Sequence, residues 1–169
     1  LDLALNTIYD VTQFSDHRIL SGLQYDNVKH RLIFDETQNH FRNIRFLSLA
    51  DTALGTLLQN DAWDERNGTV GPENQFIYSD DRSGIFNLYS FDESSGENGF
   101  ITNVTGGAFM PSVNENGQVL YSLYKNGKYT IAFMDSMSII PDNHVGYSAG
   151  YFRRNASLSE PMTTQLSEP

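Results

Sequence analysis

FIYSDDRSGIFNLYSFD, residues 76–92, decides the fold. Two short runs with alternating aromatic and aliphatic residues flank Asp80-Asp81-Arg82-Ser83-Gly84, a cluster of turn-forming residues. Alternation over a few residues, broken by Asp, Ser and Gly, is the pattern of a β-hairpin rather than of a helix. The question is whether this hairpin stands alone or recurs.

It recurs. RLIFDE (31–36), QFIYSD (75–80) and QVLYSL (118–123) align at Phe34, Tyr78 and Tyr121, with spacings of 44 and 43. The runs that come after them, IRFLSLAD (44–51), FNLYSFDE (86–93) and YTIAFMDS (129–136), align at Leu47, Tyr89 and Ala132, spaced 42 and 43. Asp51, Asp92 and Asp135 close them. A run precedes each pair: RILSGLQY (18–25), ERNGTV (65–70) and AFMPSV (108–113). GFITNVTGGAF (99–109) supplies an outer element, and LDLALNTIYDVTQF (1–14) has the same layout, since ten residues separate Asp2 from Thr12 and Asp92 from Thr102. Asn126-Gly127, between Tyr124-Lys125 and Lys128-Tyr129, is the sharpest hairpin signal, because Asn-Gly suits both left-handed positions of a type I′ turn.

Four short strands per repeat of about 43 residues is the arithmetic of a β-propeller blade. A blade is a small twisted sheet with two apolar faces, covered only by its neighbours. The chain therefore reads as all-β, with four-stranded antiparallel blades in an incomplete ring of about three. The expected division is 1–14 as the end of a preceding blade, then blades over 15–60, 61–104 and 105–140, and a loop, tail or linker over 141–169. LADTALGTLLQ (49–59) competes, since Leu49, Ala53, Leu54, Leu57 and Leu58 share a helical face. Gly55 and the repeat register favour a turn and then an outer strand.

Composition narrows function. The 169 residues are 39% apolar, 12% aromatic and 19% charged. With 11 basic and 21 acidic residues the net charge is −10, a sign that repels phosphate backbones and argues against nucleic-acid partners. The absence of cysteine removes disulfides, thiolate metal sites and cysteine nucleophiles. No apolar run is long enough to insert this chain in a membrane as a helix.

Residues 76–92 resemble the TolB-type β-propeller repeat, through Ser79, Asp81, Arg82, Ser83, Gly84, Asn87, Leu88, Tyr89 and Asp92. TGGAFMPSVNENGQVLYSLY (105–124) is similar to the same family's linker and inner strand at Thr105, Gly107, Pro111, Gly117 and Tyr121; Asn114-Glu115-Asn116-Gly117 replaces the usual S-P-D-G. The likeness is clear over 65–135 and weaker over 1–64, where YDNVKHR (25–31) lacks the turn Pro and Gly. It implies a periplasmic or secreted setting, a protein-binding or gating role, and more blades than these, so that the chain is expected to be part of a longer protein.

GYSAG (146–150) matches the G-x-S-x-G elbow that lifts a nucleophilic serine. Such an elbow needs a buried strand before it and a helix after it, and His must come later in the chain. Upstream is SIIPDNHV, and the last His is His144, so Ser148 is read as loop, with Tyr147, Tyr151 and Phe152 packing on the last blade. The chain itself is read as non-catalytic. A related reading makes it the substrate-gating propeller of a prolyl-oligopeptidase-like or tricorn-like serine peptidase whose catalytic domain lies elsewhere. A carbohydrate-active propeller would need a carboxylate pair near the axis, which sequence does not locate.

His17, His30, His40 and His144 have no metal-ligand spacing, and Asp80-Asp81 is read as turn capping rather than a calcium site. No cofactor is called for. The sequons at Asn67, Asn103 and Asn155 are ascribed to the abundance of Asn. The candidate binding residues are loop-borne. In a propeller, the loops entering inner strands share one face with those joining second to third strands. Arg18, Asp64, Glu65, Arg66, Asp81 and Arg82 are expected there, as ion pairs between blades or as a rim that captures a protein or peptide partner.

Overall fold

The computed structural model describes residues 8, 10–38, 41–58 and 63–149. Among them are eleven strands in three antiparallel sheets and two 3-10 turns. The first sheet is β1 (Ile19–Asp26), β2 (Arg31–Gln38), β3 (Phe41–Ser48) and β4 (Leu54–Leu58), in that order. The second is β5 (Glu65–Val70), β6 (Gln75–Asp80), β7 (Asn87–Asp92) and β8 (Asn98–Phe100). The third holds β9 (Gly107–Val113), β10 (Val119–Lys125) and β11 (Lys128–Met134). Each sheet is an up-and-down meander, which is how a propeller blade is built.

The segment with the helical alternative forms a turn and then β4, as the repeat register required. Five apolar residues do not make a helix when Leu54, Gly55 and Thr56 pair with β3 and the strand lies against a formed sheet. At the β10–β11 hairpin Lys125 faces Lys128, leaving two loop residues, Asn126 (φ 53) and Gly127 (φ 75). Both left-handed positions are occupied by the residue types that tolerate them.

A device not visible in the sequence repeats in all three inner strands. β1, β5 and β9 are each irregular against the second strand, between Ser21 and Gln24, between Arg66 and Thr69, and opposite Leu120–Ser122. Gly22 (φ 63), Asn67 (φ 56) and Met110 (φ 52) sit in these irregularities in the left-handed region. A bulge bends its strand and re-aims side chains. Here it does so at the same place in every blade.

Burial follows the pleat. Ile33 and Ile44 of the first blade meet Phe76, Tyr78, Tyr89 and Phe100 of the second in one core. From the opposite face of the second blade, Ile77, Leu88 and Ile101 meet Ala108 and Val119 of the third. Phe76, Ile77 and Tyr78 thus alternate between two cores, each residue almost fully buried. Aromatic geometry fills the first core: Tyr89 meets Phe100 edge-on at 4.9 Å and Tyr78 lies 5.5 Å from Tyr89. At one rim Arg31 ties the first two blades, with Nε 2.9 Å from Asp26 Oδ2 and its other nitrogens on Glu93, which Lys29 also reaches at 2.8 Å.

One expectation needs correction. The third sheet has three strands among the described residues, and after β11 the chain returns to the second blade. Ile140 N–H donates to Phe100 O (2.7 Å), Asn103 Nδ2 to His144 O (2.8 Å) and Ser148 N–H to Ser83 O (2.8 Å). Tyr147 accordingly packs with the core between the first and second blades, not on the last one. Tyr151, Phe152, His40, residues 1–7 of the N-terminal piece and the tail from 150 lie outside the described residues.

Gly106, just ahead of β9, gives one expected result. A Cβ there would lie 2.0 Å from the backbone oxygen of Tyr124. Backbone cannot swing aside as a side chain does, so Gly106→Ala is expected to cost about 1–3 kcal/mol by forcing β9 from β10, read as a lower urea midpoint.

Candidate functional site: a charged rim across the blades

Antiparallel order puts the starts of β1, β5 and β9 at the same sheet end as the β2–β3, β6–β7 and β10–β11 turns. That end is the charged rim. The tight turn after β6 explains its own sequence. Asp80 takes the backbone N–H of Arg82 (2.7 Å) and grips its guanidinium at 2.6–2.9 Å with both oxygens. Ser83 Oγ donates to Ile85 O (3.0 Å). Asn87 Oδ1 accepts from Thr102 Oγ1 (3.0 Å) and Val104 N–H (2.8 Å), clipping the linker to the next blade. Asp81 Oδ1 accepts from Asp64 N–H (2.9 Å), joining the loop to the start of β5. The Asp80-Asp81 carboxylates are thus spent on the turn, and no group of three or more metal-ligating side chains occurs among the described residues.

Five of the six candidate residues come together. Arg66 Nη2 lies 3.0 Å from Asp64 Oδ2, and its guanidinium stacks 3.8 Å over Phe86 and 5.9 Å from Phe109. Phe86 and Phe109, from the second and third blades, are 5.2 Å apart, so Arg66 lies over a seam between blades. Arg42 approaches Asp64 at 3.7 Å from the first blade. Arg82 bridges Asp80 and Glu65, the latter at 3.7 Å. Arg18 belongs to a separate group: its described ion-pair partners are Asp16 (2.5 Å) and Glu36 (2.6 Å), and Glu36 also holds Arg45 (3.1 Å).

Sequence reasoning missed Asp35, Asp80, Phe86 and Phe109 as rim members. The signal for Asp35 was present: an acid ending an apolar run, where the second repeat has Ser79. Its two oxygens accept the N–H of Asn67 at 3.0 and 3.1 Å, sewing the first blade to the bulge of the second. Burial raises its carboxyl to about 6 despite that bond.

Glu65 is a strongly perturbed carboxyl group. The β5–β6 register sets it directly opposite Asp80. It is 3% exposed, and its Oε2 has no hydrogen-bond partner among the described residues. Burial, then the neighbouring Asp80, pushes it to about 8, against the pull of Arg82. Glu65 and Asp80 form a carboxylate pair. It is buried under Arg82, with Asp80 at 0% exposure, so it is closed to a sugar ring.

Between its ordinary value near 4.5 and about 8, Glu65 binds more proton in the folded than in the unfolded chain. Its contribution is full below 4.5 and is lost as pH rises through that window. Glu65→Gln is expected to match wild type at pH 4–5 and to exceed it at pH 8 by about 1–3 kcal/mol, the scale of a buried unpaired polar group. Urea midpoints between pH 4 and 8.5 check this, and equal pH slopes for the two proteins would contradict it.

Arg66 Nε and Asp64 Oδ1 are likewise buried without hydrogen-bond partners among the described residues. A donor and an acceptor without hydrogen bonds among the described residues therefore lie beside an Arg–Phe stack. GYSAG, at the same end, does not make an elbow: a 3-10 turn (Asp142–His144) and extended chain, not a strand, precede Ser148. Ala149 has helical conformation, and residues from 150 onward lie outside the described ones. No helix among the described residues is long and apolar enough to cross a membrane.

No protein-family model matches the sequence, and no curated protein matches it. Solved structures do. TolB from Acinetobacter baumannii superposes with a TM-score of 0.64 at 18% identity, over 79% of this chain and 34% of that one. A putative TolB from Agrobacterium tumefaciens gives 0.62 at 12%, over 74% of this chain and 47% of that one. Puromycin hydrolase gives 0.57 at 14%, over 69% of this chain and 20% of that one. At such identities the likeness concerns the fold, and the chain spans between a fifth and a half of the length of these structures.

Proposed function

From a chain with a TolB-like β-propeller fold, we propose a non-catalytic scaffold that binds a protein or peptide at the charged rim, within an exported, periplasmic or secreted protein. The rim formed by Asp64, Glu65, Arg66, Asp81 and Arg82 would be the contact surface, with Arg18 at its edge. The supporting observation lies at its centre, where Arg66 Nε as donor and Asp64 Oδ1 as acceptor make no hydrogen bond among the described residues, with Arg66 stacked over Phe86 near Phe109. A peptide backbone offers the complementary N–H and C=O groups, and aromatic rings with arginine are what interface centres favour. Nucleic acid is disfavoured by the net charge of −10.

The test is selection of a random peptide library on the full chain. Enriched peptides are expected to bind at least ten-fold more weakly to Arg66→Met, a loss of about 1.4 kcal/mol. They should bind normally to Glu97→Gln, at the β7–β8 turn on the opposite rim. Equal binding by the Arg66 variant, or no enrichment, would overturn the proposal.

The fold likeness to puromycin hydrolase supports a second reading, a substrate-gating propeller of a serine peptidase whose catalytic domain is separate. For this chain, a fluorophosphonate serine probe should leave Ser148 unlabelled. Labelling that disappears in Ser148→Ala would place a nucleophile here and reject the scaffold reading.

A further inference from the structure

Asp35 lies where two bulges meet. It is 1% exposed, on the same face of β2 as Ile33, turned to the second blade. Ser21 of β1 is opposite it, and β1 then bulges at Gly22, where a Cβ would lie 2.9 Å from Asp35 Oδ2. Both oxygens of Asp35 accept the N–H of Asn67, at 3.0 and 3.1 Å, and the N–H of Gly68 bears on it as well. Asn67 and Gly68 are the residues by which β5 departs from its pairing with β6, immediately after Arg66. The charged groups that face the carboxyl are Arg42 of β3 and, at the start of the second blade, Asp64 and Arg66. Arg42 is turned to Asp64, at 3.7 Å, so backbone N–H groups rather than a cation hold the buried charge.

The second repeat shows a seam without that bond. Ser79 stands at the position of Asp35, on the face of β6 that Ile77 turns to the third blade. It is 0% exposed, and its Oγ has no hydrogen-bond partner among the described residues. The β9 bulge at Met110 therefore receives no such bond from it.

We propose that Asp35 is a positioning residue of the rim: its charged carboxylate fixes the bulge that aims Arg66, and acid, by protonating it, frees the bulge and weakens capture of the rim's partner. The effect on binding rests on the rim reading above; the bond at the bulge does not. A bulge re-aims the side chains beside it, and Arg66 leaves this one for Phe86 and Phe109. A proton on either oxygen turns an acceptor into a donor, and a neutral carboxyl accepts a weaker bond than a carboxylate. Stability runs the other way. Burial holds the group above its ordinary 3.8, at about 6, so its contribution to folding is full below 3.8 and is lost as pH rises through that window. Acid thus steadies the fold through Asp35 while it loosens the rim, two opposite trends that a purely structural role would not produce. Glu65, raised to about 8, stays largely neutral below pH 7 and lies outside this window.

Two measurements on the chain between pH 5 and 7 test it. In heteronuclear NMR spectra the amide protons of Asn67 and Gly68 should shift with a midpoint at about 6, and in Asp35→Asn they should not move. Library-selected peptides free of His, Asp and Glu, and amidated at the C-terminus, should bind the wild type roughly three- to ten-fold more weakly at pH 5 than at pH 7, the span of about one hydrogen bond. Asp35→Asn should bind at the wild type's pH 5 level throughout, while its urea midpoint at pH 7 equals or exceeds that of wild type. Amides that do not titrate in the wild type would overturn the proposal without recourse to any variant. A flat wild-type binding profile, or a slope that survives in folded Asp35→Asn, would overturn it as well. A library that enriches nothing overturns the rim reading and with it the binding half of the proposal; titrating amides would still assign the bulge to Asp35.

Discussion

Arg82→Met is expected to lower stability at pH 7 by about 3–5 kcal/mol, the cost of removing one partner from a buried ion pair. Arg82 contacts Asp80 through both carboxylate oxygens, approaches Glu65 and lies 4.0 Å over Tyr89. Asp80 and Glu65 are 0% and 3% exposed, so water cannot replace the guanidinium without opening the sheet. Burial already raises both acids, and removing the cation raises them further. The loss should therefore shrink as pH falls and both carboxyls become neutral. Combining Arg82→Met with Asp80→Asn should recover part of the loss, because no uncompensated carboxylate then remains at position 80. Chemical denaturation of the three proteins at pH 5 and pH 7 checks both statements. A loss below about 1 kcal/mol would mean that the pair behaves as an exposed one.

Phe76→Ala should cost about 3–5 kcal/mol, the usual penalty for truncating a buried aromatic residue. Phe76 is 1% exposed, stacks 5.9 Å from Tyr78 and fills the first interblade core, where its ring end faces Gly68. Ile77 is its neighbour in sequence and belongs to the other core. Ile77→Ala should cost about 2–5 kcal/mol. Large losses at two successive positions are characteristic of a strand covered on both faces. In a sheet with one solvated face, one of the two would be nearly silent. Equilibrium unfolding of both variants separates these cases.

The blades were legible in the sequence because their determinants are local. Alternation in 75–80 and 87–92, the Asn126-Gly127 turn and the repeat of about 43 residues specify strands whatever the rest of the chain does. Leu54–Leu58 needed the repeat as well, since its own pattern suits a helix. The path of 137–148 was not legible. Met137 to Ser148 has no periodicity, and its place on the second blade depends on Phe100, Asn103 and Ser83, which lie 40–65 residues before their partners.

The rim was half legible. Topology alone assembles Asp64, Arg66, Asp81 and Arg82, because turns at one sheet end must converge. The Glu65–Asp80 opposition depends on β5–β6 pairing past the Arg66–Thr69 irregularity, and a shift of one residue would have sent Glu65 to the other face. Arg18 was grouped with the others by loop position. It joins Glu36 and Arg45 instead, because β1 runs beside β2 and puts Leu20 opposite Glu36.

Amide hydrogen exchange on the full chain tests most directly whether these sheets are buried by stacking on one another. The slowest amides should be those of β6 and β7, in the second blade, which packs against the first blade on one face and the third on the other, exchanging together near the global limit. Those of β1 and of the β10–β11 hairpin should exchange at least a hundred-fold faster. Equal protection across the three sheets, or a maximum in the first or third, would contradict it.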